Sequence, residues 1–373
     1  MLSIYSIRRI SRNEVIDEGI VLNVLVQEKL FGSINGQPVT LFTMRNKNGF
    51  EVSCMNYGCV ITEILASNRT EQYENVVLGY DTFEEYGQNA QYLGAMVGRV
   101  AGRIKGGSFS LGENIYNIPT NENSNHIHGG PKGMSRVLWD ATVLEGEQGT
   151  TIEFTYLSKD GEEGFPGNLE MKVAYTILND EDTLSITYNG ISDKDTLVNV
   201  TNHSYFNLSG NLKRDVLEHE LTMDSPVYLE LNEMFLPTGN LVSVDGTVFD
   251  FRGGRKIADG AASAHPQNVL VGNGYDHPFL LNENEPRMVL ADEVSGRRLV
   301  VTTTESAVVL YTGNSLEGSK MRGQQLREYL GVCLETQGPP DSIHHPHFPS
   351  SILQAGDEYK STTTYSFGII AAD

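Results

Sequence analysis

Between its glycines this chain alternates, apolar and polar side chains changing places residue by residue, and helical spacing is nearly absent. A period of two sends successive side chains to opposite faces of a strand, whereas a helix face needs a period of 3.6. Residues 39–45 and 50–56 flank the turn Asn46-Lys-Asn-Gly49, and residues 171–178 and 183–188 flank Asn179-Asp-Glu-Asp182. Both pairs predict hairpins. Residues 151–158, 298–304 and 307–312 are further predicted strands. The one helix start is Asp81-Thr-Phe-Glu84, with Asp81 as N-cap and Glu84 reaching back, enough for a turn or two. Short strands at regular spacing, without βαβ alternation, predict an all-β fold, a large antiparallel sandwich with few short helices. No repeat, low-complexity tract or Pro/Ser-rich linker interrupts it, so residues 27–373 are expected to form one domain. Residues 1–26 fit the strand pattern poorly and are expected to be a poorly ordered extension.

Charge narrows the partners. Lys and Arg total 27 against 48 Asp and Glu, a net charge of −21 at pH 7. Such a field repels nucleic-acid phosphates and anionic lipid, while uncharged small molecules are not discouraged. The N-terminus turns charged within its first turns of chain and lacks a signal-peptide pattern, and no segment has the length of a membrane span. Three cysteines, Cys54, Cys59 and Cys333, are an odd count without paired spacing, which suits a reducing compartment. A cytoplasmic protein is expected, with Asn68, Asn199, Asn202 and Asn207 as ordinary polar residues despite their Asn-x-Ser/Thr setting.

Proton-transfer residues cluster. His126 and His128 sit in Asn-His-Ile-His-Gly-Gly130, His203 in Thr201-Asn-His-Ser-Tyr-Phe-Asn-Leu208, and Asp276 and His277 in Gly274-Tyr-Asp-His-Pro-Phe279. His344, His345 and His347 follow shortly after Glu335 of Cys333-Leu-Glu-Thr-Gln337. Imidazole beside carboxylate serves proton transfer near neutral pH, and equally metal binding. The plainer readings are that His128 caps a glycine turn, that Asp276 is a turn residue, that Glu335 ends a strand in solvent, and that His203 completes a buried hydrogen-bond network. His344-His-Pro-His347 looks metallic, but Pro346 breaks helical pairing and no HExxH or Cys partner is spaced for a site. Arg99 and Arg103 offer guanidinium groups to an oxygen-rich ligand, or else lie solvated on a strand edge. Trp139, Tyr205, Phe206, Tyr275 and Phe279 would suit a sugar face, or a core.

Taken in order, Asn-His-Ile-His-Gly-Gly, Thr-Asn-His-Ser-Tyr-Phe-Asn-Leu, Gly-Tyr-Asp-His-Pro-Phe, Tyr311-Thr-Gly-Asn314 and Cys-Leu-Glu-Thr-Gln resemble the aldose 1-epimerase (galactose mutarotase) family. The similarity runs from about residue 27 to the C-terminus and includes Gly98-Arg-Val-Ala-Gly-Arg-Ile104, Pro237-Thr-Gly239 and Val248-Phe-Asp-Phe-Arg252. It implies a β-sandwich with an open cleft that interconverts the α and β anomers of free aldoses such as D-galactose and D-glucose, with no cofactor and no metal. Carried over by motif, Glu335 would be the general base and His203 the general acid, while His128, Arg103 and Asp276 would hold sugar oxygens. Two positions depart from the family pattern: Gly102 stands where an Asn often precedes the arginine, and Val309 where a Gln often precedes Tyr-Thr-Gly-Asn. Both changes remove a side-chain hydrogen-bond partner and bear on sugar preference more than on the reaction.

Anomer exchange asks for one proton off the C1 hydroxyl and one onto the ring oxygen O5. Glu335 is therefore expected ionised and His203 protonated, with a nearby carboxylate raising the histidine pKa values. Competing readings are a non-catalytic sugar-binding sandwich, metal-dependent chemistry at His344, His345 and His347, and an epimerase of maltose, a pentose or a sugar phosphate. Against a phosphorylated substrate stand the negative charge and the lack of a dense basic cluster. A monomer or homodimer is expected.

Overall fold

The computed structural model describes residues 24–371 apart from residues 88, 283–286 and 319, and the expectation for the N-terminal extension falls mostly on residues outside them. Three antiparallel sheets of five, nine and six strands carry the chain, joined by two-stranded ribbons. The predicted hairpins form. Gln37–Arg45 pairs with Glu51–Met55, and Leu169–Leu178 with Thr183–Ser192, around the two turns named above. Gly149–Ser158, Arg297–Thr303 and Ala307–Tyr311 are strands as the alternation requires.

One expectation is displaced by a residue. The short helix is Phe83–Tyr86, capped reciprocally by Thr82 and Glu85 rather than by Asp81 and Glu84. Thr82 accepts a bond from the third helical amide while Glu85 returns to the Thr82 amide, 3.1 Å away. Asp81 instead faces Arg322 at 3.4 Å. The helix packs its apolar pair, Phe83 and Tyr86, onto Tyr57 and Phe31, and that packing fixes the register.

The six-stranded sheet runs Tyr205–Phe206, Val332–Gln337, Ala307–Tyr311, Asp276–Leu280, Val227–Leu231, Pro237–Ser243. Its two faces differ in kind. Phe206, Leu334, Val308, Leu310, His277 and Phe279 point to the core shared with the nine-stranded sheet. Thr336 bridges the two layers through a 2.7 Å hydroxyl contact with Thr363, and Phe206 packs on Tyr365 with ring centroids 5.4 Å apart. The opposite face carries Tyr205, Glu335, Gln337, Tyr311, Val309 and Asp276. Among the described residues no helix is long and apolar enough to cross a membrane.

Histidines built into the interior make the fold acid-sensitive. Burial pushes His126 and His219 down to about 4 and His277 to about 3. An unfolded histidine binds its proton near pH 6.5, so below that pH the unfolded chain takes up protons that the folded chain refuses. The contribution of these histidines to stability is then full above about pH 6.5 and falls as pH drops toward the folded values, by about 1.4 kcal/mol per pH unit for each, opposed in part by the carboxyls that burial raises. Thermal melts should show a steep loss of Tm from pH 7 to 4.5. A flat Tm over that range would contradict the neutral burial of these rings.

Candidate active site

A cavity of about 570 Å³ opens over the polar face of the six-stranded sheet. Cross-strand register sets its floor. Tyr205 and Tyr311 each lie opposite Cys333, Asp276 lies opposite Tyr311, and Val309 lies between Glu335 and Pro278. Glu335 belongs to the middle of Val332–Gln337 and is 4% exposed, so it is no solvated strand end. Gln337, two residues on, shares its face by the same alternation.

His203 arrives from a different part of the chain. Thr201–Asn202 pairs with Met96–Val97, and the His203 amide donates to the Ala95 carbonyl at 2.9 Å. Asn202 supplies the buried network: its Oδ1 accepts from the Ser204 amide and hydroxyl, and its Nδ2 donates to the Gly94 carbonyl. The polar run Thr-Asn-His-Ser thus holds both readings given above, with Asn202 as the structural member and His203 free to face the cavity. The imidazole stacks between Tyr205 (5.0 Å, 27°) and Tyr92 (6.1 Å, 23°). Its Nε2 lies 3.5 Å from Glu335 Oε1, with both side chains nearly inaccessible, and its Nδ1 lies 3.6 Å from Cys333 Sγ.

Burial dominates the electrostatics of the pair. It pushes His203 down to about 4, and it raises Glu335 well above the ordinary carboxylate range, with Asp276 adding and Arg103 opposing. The expected raising of the histidines by a neighbouring carboxylate is reversed, because desolvation of the cation outweighs that attraction. The pair therefore holds its shared proton in the uncharged form. Moving that proton from Oε1 to Nε2 yields carboxylate and imidazolium without changing the pair's net charge.

His128 does turn at a glycine pair, with φ of 51°, followed by Gly129 and Gly130 also at positive φ. It also lines the cavity. Its Nδ1 accepts from the Gly102 amide at 3.2 Å, which leaves Nε2 as the protonated, donating nitrogen. Burial, with His203 and Arg103 nearby, holds it well below the usual histidine range, so it is a neutral donor. Arg103 is gripped by Glu122, Nε to Oε2 at 2.5 Å and NH2 to Oε1 at 2.8 Å, and covers the ring of Phe235 at 5.2 Å. Burial opposes its charge, but the Glu122 bonds together with Asp276 and Glu335 more than offset that and raise its pKa. Asp276 is raised by burial, against the pull of Arg103.

All five sequence-derived site residues, Glu335, His203, His128, Arg103 and Asp276, meet at this cavity. Arg99 does not. It is 2% exposed and donates to the carbonyls of Ser158, Lys159, Pro166 and Gly167 and to the Ser158 and Thr196 hydroxyls. It is neither a ligand group nor solvated on an edge. Of the five aromatics only Tyr205 reaches the cavity; Trp139, Phe206, Tyr275 and Phe279 are core. Of the three C-terminal histidines, His344 Nδ1 meets Asp341 at 2.6 Å, His345 lies 3.7 Å from the same carboxyl, and His347 Nε2 meets the Gly239 carbonyl; none lines the cavity. Tyr92, Glu122 and Gln337 are cavity residues that motif reading missed. Strand parity from Glu335 would have found Gln337; Tyr92 and Glu122 sit in irregular segments that carry no such signal.

Gly102 has φ of 74°, and a Cβ there would approach Pro340 to 2.8 Å, so Pro340 occupies the space that a side chain at this position would take. Val309 and Pro278 add apolar side chains to the lining, and the Gln337 side-chain amide stands 3.6 Å from the same Gly102 Cβ position.

The aldose 1-epimerase family model matches residues 40–366. The chain belongs to the aldose 1-epimerase family. It is 38% identical over 353 residues to a galactose mutarotase of Mus musculus, covering 93% of this chain and 99% of that protein. It is 36% identical over 340 residues to an aldose 1-epimerase of Escherichia coli (strain K12), covering 89% and 96%. The structure of a galactose 1-epimerase from Lactobacillus acidophilus NCFM superposes with a TM-score of 0.83 at 30% identity, over 93% of this chain and 100% of that one. The family supplies the fold class and the reaction; the residue roles rest on the geometry above.

Arg99 and Arg103 separate experimentally. Arg99→Leu strands several buried carbonyls and should cost at least about 3 kcal/mol in urea unfolding. Arg103→Leu, at the cavity wall, should change sugar kinetics with a smaller stability loss. Equal stability losses for the two would contradict this division.

Proposed function

We propose that this chain catalyses the interconversion of the α and β anomers of free aldoses, as an isomerase. The observation that carries this reading is the contact between Glu335 and His203, two groups far apart in sequence that meet 3.5 Å apart in a cavity of hexose size. Family membership points to the same reaction.

Ring opening removes a proton from the C1 hydroxyl and delivers one to O5, breaking C1–O5. Rotation about C1–C2 then presents the other face of the aldehyde, and closure reverses both transfers. In the reactive form Glu335 is the carboxylate that accepts the C1 hydroxyl proton, and His203 is the imidazolium that protonates O5. Arg103 favours the carboxylate, and the faces of Tyr92 and Tyr205 favour a cationic imidazole. Two positioned proton transfers acting together avoid a free alkoxide and a free oxocarbenium ion. His128 Nε2–H donates to a sugar oxygen, Arg103 donates from the side left free by Glu122, and Asp276 accepts from a hydroxyl.

Both ends of the reaction are neutral sugars of similar energy, so proton transfer and positioning are all that the chemistry demands. The substrate is a free aldose of the D-galactose or D-glucose type, and one domain over residues 27–373 carries the activity in the cytoplasm, as a monomer or homodimer. Gly102 and Val309 themselves offer the sugar no side-chain hydrogen bond, which leaves Gln337, beside Gly102, as the polar group there.

Polarimetry of freshly dissolved α-D-galactose, α-D-glucose and maltose tests the reading. Glu335→Gln and His203→Asn should each lower kcat by about 10²-fold or more. Asp276→Asn should act chiefly on KM. Near-normal rates for Glu335→Gln would remove Glu335 as the base, and sugar binding without faster anomer exchange would make the protein a binding module.

A further inference from the structure

We propose that His203, Cys333 and Glu335 form a binding site for a thiophilic divalent cation of the zinc type, and that such a cation shuts the cavity against sugar. Among the described residues these three can each offer one donor atom with all three atoms within 4.8 Å of one another. The set is one nitrogen, one sulfur and one oxygen, the donor types that zinc takes in three-ligand sites. In tetrahedral zinc with bonds of about 2.0–2.3 Å, neighbouring donors stand about 3.3–3.6 Å apart. The observed Nδ1–Sγ distance of 3.6 Å already matches such an edge. Glu335 now approaches the other ring nitrogen, Nε2, at 3.5 Å, so ligation through Nδ1 requires its carboxyl to leave Nε2 for the Cys333 side of the ring, within a set of donor atoms that already lie within 4.8 Å of one another.

Two further features favour the ion. Glu335 is 4% exposed, and among the described residues the polar approach to its carboxyl is that of His203, so an acceptor stands at the cavity with capacity to spare. His203 and Glu335 line the cavity while Cys333 is fully buried, so an ion held by the three would take water or an inhibitor atom from the cavity side as its fourth ligand. Binding releases the Cys333 thiol proton and the proton shared by the Glu335–His203 pair to solvent, so the dication meets a thiolate, a carboxylate and a neutral imidazole. The resulting cluster is uncharged, which removes the penalty of burying an isolated dication. Cys54 and Cys59 are buried in the core and lie outside this group.

Loss of activity on metal binding rests on the proposed roles of Glu335 and His203, but binding itself does not. Cobalt(II) is therefore titrated into the metal-free protein, and absorption is followed for the thiolate-to-cobalt charge-transfer band. In parallel, zinc inhibition of mutarotation is measured against sugar concentration, each variant relative to its own metal-free rate. The wild type should give the band at one equivalent of cobalt and competitive zinc inhibition. Cys333→Ala should lose the band and need at least about tenfold more zinc for the same inhibition. Cys333→Ser, which keeps the residue's size, serves the same purpose if the alanine variant does not fold. No thiolate band in the wild type, a band that persists without Cys333, or equal zinc sensitivity of the variants overturns the proposal. A band without any mutarotation would leave the metal site standing and remove the enzymatic reading.

Discussion

Everything at the cavity depends on an imidazole and a carboxyl that approach to 3.5 Å where water scarcely reaches. In such surroundings neither charge is cheap alone, and burial drives His203 down and Glu335 up. The two groups are thereby tied into one unit with one proton to share. A unit of that kind is suited to moving a proton on and a proton off within one event, because its own net charge never changes. The sheet makes the arrangement possible: strict two-residue alternation puts Glu335 in the cavity while its neighbours Leu334 and Thr336 serve the core.

The supporting residues divide the labour by position. Asn202 satisfies the backbone around His203, the two tyrosines fix the plane of its ring, and Gly102 fixes which nitrogen of His128 carries the proton. Glu122 holds the Arg103 guanidinium at two points, so that cation is aimed before any sugar arrives. Arg99, four residues earlier, is a tie inside the protein, filling its donors with backbone carbonyls. Two arginines in one short motif thus do unrelated work.

Much of this was legible in the sequence, for reasons that can be named. Strand positions follow from alternation, since period two is local. The five candidate residues were singled out by motifs that lie on separate strands and turns, and only the fold could show that they share a cavity. What escaped has physical causes. Thr82 rather than Asp81 caps the first helix because Phe83 and Tyr86 must face Tyr57 and Phe31, a tertiary demand invisible in the capping pattern. Arg99 was misread because charge alone does not say whether a guanidinium meets solvent, ligand or carbonyls. Tyr92 and Glu122 belong to irregular segments, and the protonation of the pair depends on burial that sequence does not measure.

The claim that Glu335 and His203 act as one proton-transfer unit is tested most directly by a double-mutant cycle in kcat for α-D-galactose mutarotation. If they work together, Glu335→Gln combined with His203→Asn should be about as slow as the slower single variant. Losses that multiply across the two substitutions would mean independent action, and would contradict the account.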